Sequence, residues 1–415
     1  APESYQEPVP DSPQVKEPEK VTVAEPVAEP VVIETPEPIA PSVDPETVWP
    51  VRHLILGLEG TTLNEDTRSL IQNYLPGGIW IREANVRDAE QLEALIQSIY
   101  DLFIGTDINT LRPLIYFAPE SGLAQNPLQL DAPKTYSDIG ALENMDAVKQ
   151  SGRITAETAV KIGIDVLLSP PLDVYSPEAS SADDTSRYFG DTTEKVTQVG
   201  LAYGEGIMEA GMIAVAKHYP GEGTTIMQPD GIKLLADTDI NALVSVMMPF
   251  AEAATIDIQG LLVGAITVPA LDVNVPGRPA FVSPILVKEA LRNKWGYQGV
   301  IIADDILLAE GWSLSTIEED IVAALVAGCD AVMVSSVSEE DINHYIRTVL
   351  NSVESGKLDR DTLTLGQKKM DLWRQQVERT RSQFGITKFS VPKTIPEPEP
   401  APEPAPEPAP EPAPE

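Results

Sequence analysis

One unit repeats through the middle of this chain: a short apolar run followed by a longer amphipathic stretch. The apolar runs fall at residues 53–58, 78–81, 114–118, 165–169, 213–217, 261–267, 300–303 and 331–335. Apolar strands separated by helices imply a parallel sheet covered on both faces. Helical periodicity is read over 90–104, 194–208, 240–254, 284–294 and 316–327, and again near 339–354 and 360–384. About eight such units in about 340 residues predict an α/β fold of the (β/α)8 TIM-barrel type, with a doubly wound open sheet as the alternative. Chemistry in a barrel belongs where strands end and loops begin. Glu59, Glu120, Asp173, Lys217, His218, Asp304 and Asp305 occupy such ends. Any one of them reads as a solvated or locally bonded loop residue. Several at one end of a sheet point to a pocket.

The flanks of the chain have a different composition. Residues 1–48 are rich in Pro, Glu and Val, and 390–415 carry a Pro-Glu-Pro-Ala repeat; about 22 of the 38 prolines lie in these two segments. Such sequence cannot bury enough apolar surface to offset chain entropy, so it is expected to stay disordered or extended, as acidic spacers. The barrel is assigned to 49–389. The net charge is −35, and removing about 17 acids and 3 lysines of the tails still leaves the middle strongly acidic. That field argues against nucleic acid and anionic membrane surfaces as partners. No apolar stretch reaches the ~18 residues of a membrane-spanning helix. The lone cysteine, Cys329, sits in a mostly apolar run and reads as a small core residue. With three histidines and one cysteine, neither a metal site nor a cofactor is expected. The spacer-like tails, and a start at Ala1 that fits removal of a leader, suit a secreted or bacterial cell-envelope protein with envelope partners on the tails.

Two strand ends carry the densest chemistry. Met212–Ala216 runs into Lys217-His218-Tyr219-Pro220-Gly221-Glu222-Gly223, which delivers two polar side chains to a pocket mouth on a Pro-Gly-x-Gly turn. Val300–Ala303 ends in Asp304. A carboxylate there suits attack on an anomeric carbon or, equally, a structural pair with Lys217.

These residues resemble glycoside hydrolase family 3, and within it the single-barrel bacterial β-N-acetylhexosaminidases. Lys217–Gly223 resembles the family's KH(F/Y)PGHG motif. Leu291-Arg292 with Gly296–Asp305 resembles its nucleophile motif, Pro269–Asp272 with Ser283 its YPALD stretch, and Arg187–Asp191 its RSFG.D segment. The likeness covers essentially the whole middle region. It implies a barrel that takes a glycan, with Asp304 as nucleophile and Arg187, Lys217 and His218 holding the sugar. The departures from the pattern are equally specific. Where the family has an acid/base His and its orienting Asp, this chain has Asp230 and Gln228. The second His of the KH motif is Glu222, and the sugar-binding Asp and Arg of the DxEGG segment are Ala118 and Leu123. The resemblance therefore implies hydrolysis that is impaired or altered, with Asp230 or Glu222 as substitute acid. The alternative is a non-catalytic glycan-binding or envelope-scaffolding module.

Overall fold

In this computed structural model the chain is described over residues 45–103, 112–120, 135–178, 184–228, 233–235, 239–309 and 312–389. Eight parallel strands close into a barrel: β1 (Leu54–Gly57), β2 (Gly78–Ile81), β3 (Leu114–Phe117), β4 (Val166–Leu167), β5 (Ile213–Tyr219), β8 (Gly260–Val263), β10 (Val300–Ala303) and β11 (Ala331–Val334). Each follows its neighbour in chain order, and β11 returns to pair with β1. The open-sheet alternative is thereby excluded. Three two-residue strands, β6 (Ile226–Met227), β7 (Lys233–Leu234) and β9 (Ile266–Thr267), form a small separate sheet.

The run 261–267, read from sequence as one strand, is two. The backbone N–H of Gly264 bonds back to Tyr219 O at 2.8 Å, which ends β8, and β9 pairs with β7 instead. The stretch Ile285–Lys294 coils as a wide helix, with i→i−5 bonds such as Glu289 N to Pro284 O at 2.9 Å. Helix Pro45–Val48 precedes the expected start of the barrel, and Val48 is already buried. Otherwise the acidic Pro-rich segments lie outside the described residues. No described helix is long and apolar enough to cross a membrane.

The barrel interior explains which residues reach the mouth. In a barrel of shear about 8, a hydrogen-bonded partner lies about one residue lower, so each interior layer comes from alternate strands. Applied to the observed register, this places Gly78, Val166, Gly260 and Ala331 low in the barrel. Above them come Ile55, Tyr116, Val215 and Ile302, then Trp80, Leu168, Leu262 and Met333. Gly57, Ala118, Lys217 and Asp304 stand at the C-terminal rim. The glycines of the low layer make room for large neighbours. A Cβ on Gly78 would stand 2.3 Å from the Tyr116 ring, and one on Gly260 would stand 3.0 Å from Trp373.

Trp373 belongs to the C-terminal helix Arg360–Gln383, which closes the bottom of the barrel. Met370, Trp373 and Val377 join the interior cluster. Arg374 donates to Gly77 O (2.7 Å) and Arg112 O (2.8 Å) at the strand entrances. Beside it, buried Asp165 accepts from Arg112 (2.8 Å), Arg381 (2.6 Å), Tyr100 and the Ile115 N–H. Cys329 is buried and its Sγ faces Phe281 O at 3.4 Å, as a core residue would.

Candidate active site

The rim carries one connected network of charges. Lys217 and His218 end β5, and the peptide between them is cis, as is Tyr219–Pro220. Both side chains are buried. Lys217 Nζ donates to Glu120 at 2.7 Å, and Arg187 donates to the other oxygen of that carboxylate at 2.6 Å. Among the described residues, the ion pair of Lys217 is therefore with Glu120, not with Asp304. Burial alone would raise the Glu120 pKa; Lys217, Arg187 and His218 overcome it and hold the carboxyl well below the usual range.

Asp173, buried in the loop after β4, organises the turn that follows β5. It accepts the His218 ring Nδ1–H (2.9 Å), the His218 backbone N–H (3.1 Å) and the Glu222 backbone N–H (2.6 Å). The turn then presses on the chain at Val174, where a Cβ on Gly223 would stand 2.1 Å from a carbonyl oxygen. Glycine is needed here because backbone meets backbone.

Glu222 points into the same cluster. It lies 2.6 Å from Lys233 Nζ, 3.5 Å from His218 Nδ1 and 3.9 Å from Arg187. Burial opposes its charge, yet His218, Lys233 and Arg187 together hold its pKa at about 2. His218 is shifted up: burial works against its charge, and Glu222 and Asp173 outweigh it. The clamp sets a stability dependence. Because the folded-state pKa of Glu222 lies below its ordinary value near 4.5, its stabilisation is present above that value and is lost as pH falls towards 2. Lys233→Met is expected to raise the Glu222 midpoint and cost about 1.5–3 kcal/mol of stability, the worth of a hydrogen bond to a charged group. A carboxyl-carbon NMR titration reads the first and chemical denaturation the second; an unchanged midpoint would refute the clamp.

Asp304 follows β10 in the rim layer that also holds Lys217, and is 8% exposed. It accepts the Asp305 N–H at 2.8 Å. Burial is the main cause that pushes its pKa up, and His218 partly offsets it. Asp305 has structural duties, accepting from Ser335 N (3.0 Å) and Leu307 N (3.3 Å). Glu59 is exposed and faces a separate cavity beside Ser335–Glu339.

The structure thus brings Arg187, Lys217, His218 and Glu222 together with Glu120 and Asp173. Asp230 lies outside the described residues. Lys233 and Tyr188, which line or tie this cluster, were not singled out from sequence. Lys233 sits in a two-residue strand with no periodicity to mark it. Beneath the charges the free space is about 10 Å³, bounded by Glu120, Pro171, Asp173, Arg187, Tyr188, Lys217 and His218. That is room for about one water. The open side is that of Glu120 and Arg187, whose side chains are 41% and 29% exposed. A network of this kind can hold polyhydroxylated ligands through its cations, and the Asp304 carboxylate in the same rim layer has the chemistry of a nucleophile. Among its other carboxyl groups, Glu120 and Glu222 are both held ionised.

Comparison with known proteins agrees with the architecture. A β-hexosaminidase of Methylococcus capsulatus is 25% identical over 344 residues, spanning 78% of this chain and 97% of that protein. A family 3 β-N-acetylglucosaminidase from Paenibacillus sp. superposes with a TM-score of 0.70 at 22% identity; 79% of this chain is covered, and the chain spans 62% of that structure. NagZ from Neisseria gonorrhoeae, solved with N-trifluoroacetyl-D-glucosamine, superposes with a TM-score of 0.62 at 21% identity over 81% of this chain and 95% of its own. These structural likenesses are of fold. Residues 45–370 match the glycosyl hydrolase family 3 N terminal domain, and the chain belongs to that family.

Proposed function

We propose that this chain binds β-linked aminosugar glycans at the barrel mouth and that its hydrolysis of them is impaired. The β-hexosaminidase relatives suggest the sugar class. A retaining glycosidase needs a nucleophile and a proton donor on opposite sides of the bond. Asp304, at the end of β10, is the candidate for the first, with Lys217 and Arg187 as candidates to hold hydroxyls. The observation that carries the reading is the state of Glu222. A carboxyl with a pKa of about 2, locked to Lys233 at 2.6 Å, carries no proton to donate near neutral pH. Loss of general acid catalysis costs typically about 10²–10⁴-fold.

Leaving-group dependence tests this. A 2,4-dinitrophenyl N-acetyl-β-glucosaminide releases a phenolate that needs no protonation, whereas chitobiose releases a sugar that does. The expected result is measurable turnover of the activated glycoside, with chitobiose cleaved at least about 10²-fold more slowly. Chitobiose hydrolysis at an ordinary enzymatic rate, about 1–10³ s⁻¹, would overturn the reading. Glycan binding with no turnover of either compound would place the chain at its non-catalytic limit.

A further inference from the structure

The layer below the rim holds an unusual member. Three of its four residues, Leu168, Leu262 and Met333, are buried. The fourth, Trp80 on β2, is only partly buried and packs against the interior cluster, together with Ala118. The register explains why. Trp80 lies on the strand between β1 and β3, and the rim residues of those two strands are Gly57 and Ala118. On either side of the indole the rim is thus a bare backbone or a single methyl. The other two rim residues are Lys217 and Asp304. Among the described residues, the partly buried indole thus lies below small rim residues, on the side of the mouth where Ala118 stands at the position of the expected polar sugar contact. Its Nε1–H is buried and has no acceptor among the described residues. The Arg82 guanidinium lies over the ring, 5.9 Å from its centroid, so it covers one face of the indole and the opposite face is the one a ligand would use. Buried donors without partners are uncommon and mark places where a ligand or strain has a role.

We propose that Trp80 is the platform on which a bound sugar rests its apolar C–H face, with Lys217 and Arg187 holding the hydroxyls. This deepens the glycan-binding reading above and rests on it. A pyranose is amphipathic: its rim of hydroxyls suits cations and carboxylates, while its C–H faces suit an aromatic surface. Pockets for such ligands combine aromatic walls with a few fixed polar groups. The exchange of a rim carboxylate for a methyl at Ala118 removes one polar contact and uncovers the ring that replaces it. The ligand class is a pyranose whose C–H face is unbroken by axial hydroxyls, because an axial oxygen would hold the ring off the indole.

The test is chitobiose binding by calorimetry to the full chain and to W80L, W80F and K217A. Leucine is the residue at two of the other three positions of this layer, so W80L keeps the interior filled; melting curves check that it folds. W80L is expected to bind about tenfold more weakly, and W80F within about threefold of wild type, since the ring face is kept. Chitobiose is also expected to change the tryptophan emission of wild type but not of W80F, which retains the other four of the chain's five tryptophans. Unchanged affinity in W80L with binding lost in K217A would overturn the platform and leave the glycan-binding reading standing. If the emission change persisted in W80F, it would also overturn the platform. No binding by the wild-type chain would overturn the glycan-binding reading, and the platform with it.

Discussion

Asp304→Asn is expected to lower turnover of an activated aryl N-acetyl-β-glucosaminide by about 10³-fold or more, and at the same time to raise the melting temperature at neutral pH. The two effects have one cause. Asp304 ends an apolar strand and is almost fully buried, and it accepts the backbone N–H of Asp305. Burial pushes its pKa up, so the ionised form needed for attack is the form the fold resists. For an acid whose folded-state pKa is raised, the penalty is fully present above that pKa. It disappears as pH falls below the unfolded value. The stability gain in the variant should therefore be largest at neutral pH and should vanish on acidification. Asparagine keeps the shape and the bond to Asp305 N while removing the charge. Kinetics on the activated glycoside and melting curves at neutral and acidic pH read both halves. A variant that loses activity and stability together would show that Asp304 is a structural acid. One that keeps its activity would show that the nucleophile is elsewhere.

The barrel was legible in the sequence because a buried parallel strand has a strong signature. Eight apolar runs with covered faces leave few other architectures. Strand ends were legible for the same reason: Lys217, His218 and Asp304 each break an apolar run. What escaped was anything decided across the barrel rather than along the chain. Trp80 reads as one more apolar strand residue until the register sets Gly57 and Ala118 on either side of it. Lys233 reads as a surface lysine until β7 pairs with β9 and brings it to Glu222. The break of 261–267 at Gly264 depends on a bond to Tyr219, over forty residues away. The protonation state of Glu222 follows partly from His218 in the same turn, but also from Lys233 and Arg187 in separate segments, which no local pattern links to it.

The two ends of the barrel divide the work. At the rim the charges are arranged around a small opening, with exposure on the Glu120 and Arg187 side. At the bottom they are more deeply buried, Asp165 most of all. Asp330, which precedes β11, holds Arg292 and, at 3.2 Å, Lys369. Asp165, which precedes β4, holds two arginines that are each about 1% exposed. On the proposed reading, Lys217 and Arg187 at the rim serve the ligand, while the charges at the bottom serve the fold.

Asp165→Ala should accordingly be among the most damaging single changes for stability, at about 3–5 kcal/mol, the typical cost of breaking a buried ion pair by removing one partner. Asp165 itself is fully buried, and its charge is compensated by Arg112 at 2.8 Å and Arg381 at 2.6 Å, with further bonds from Tyr100 and Ile115 N. Burial alone would raise its pKa, but the two arginines bring it below the ordinary value. Its stabilisation is thus present above the unfolded carboxyl pKa and is lost as pH falls below it. Removing the carboxylate leaves two guanidinium groups buried near the same Tyr100 ring, at 5.0 and 4.9 Å from its centroid. Arg112 keeps Glu378, at 2.9 Å, but among the described residues the acceptors left to Arg381 are the neutral oxygens of Tyr100, Phe389 and Gly163. Arg381 also anchors the helix that closes the barrel floor, so the loss reaches the plug formed by Met370, Trp373 and Val377. Urea denaturation measures the cost. A loss below about 1 kcal/mol, the level of an exposed pair, would mean that the arginines find other partners. Chitobiose affinity of the folded variant should stay at the wild-type value, because the proposed glycan contacts are at the opposite end of the barrel.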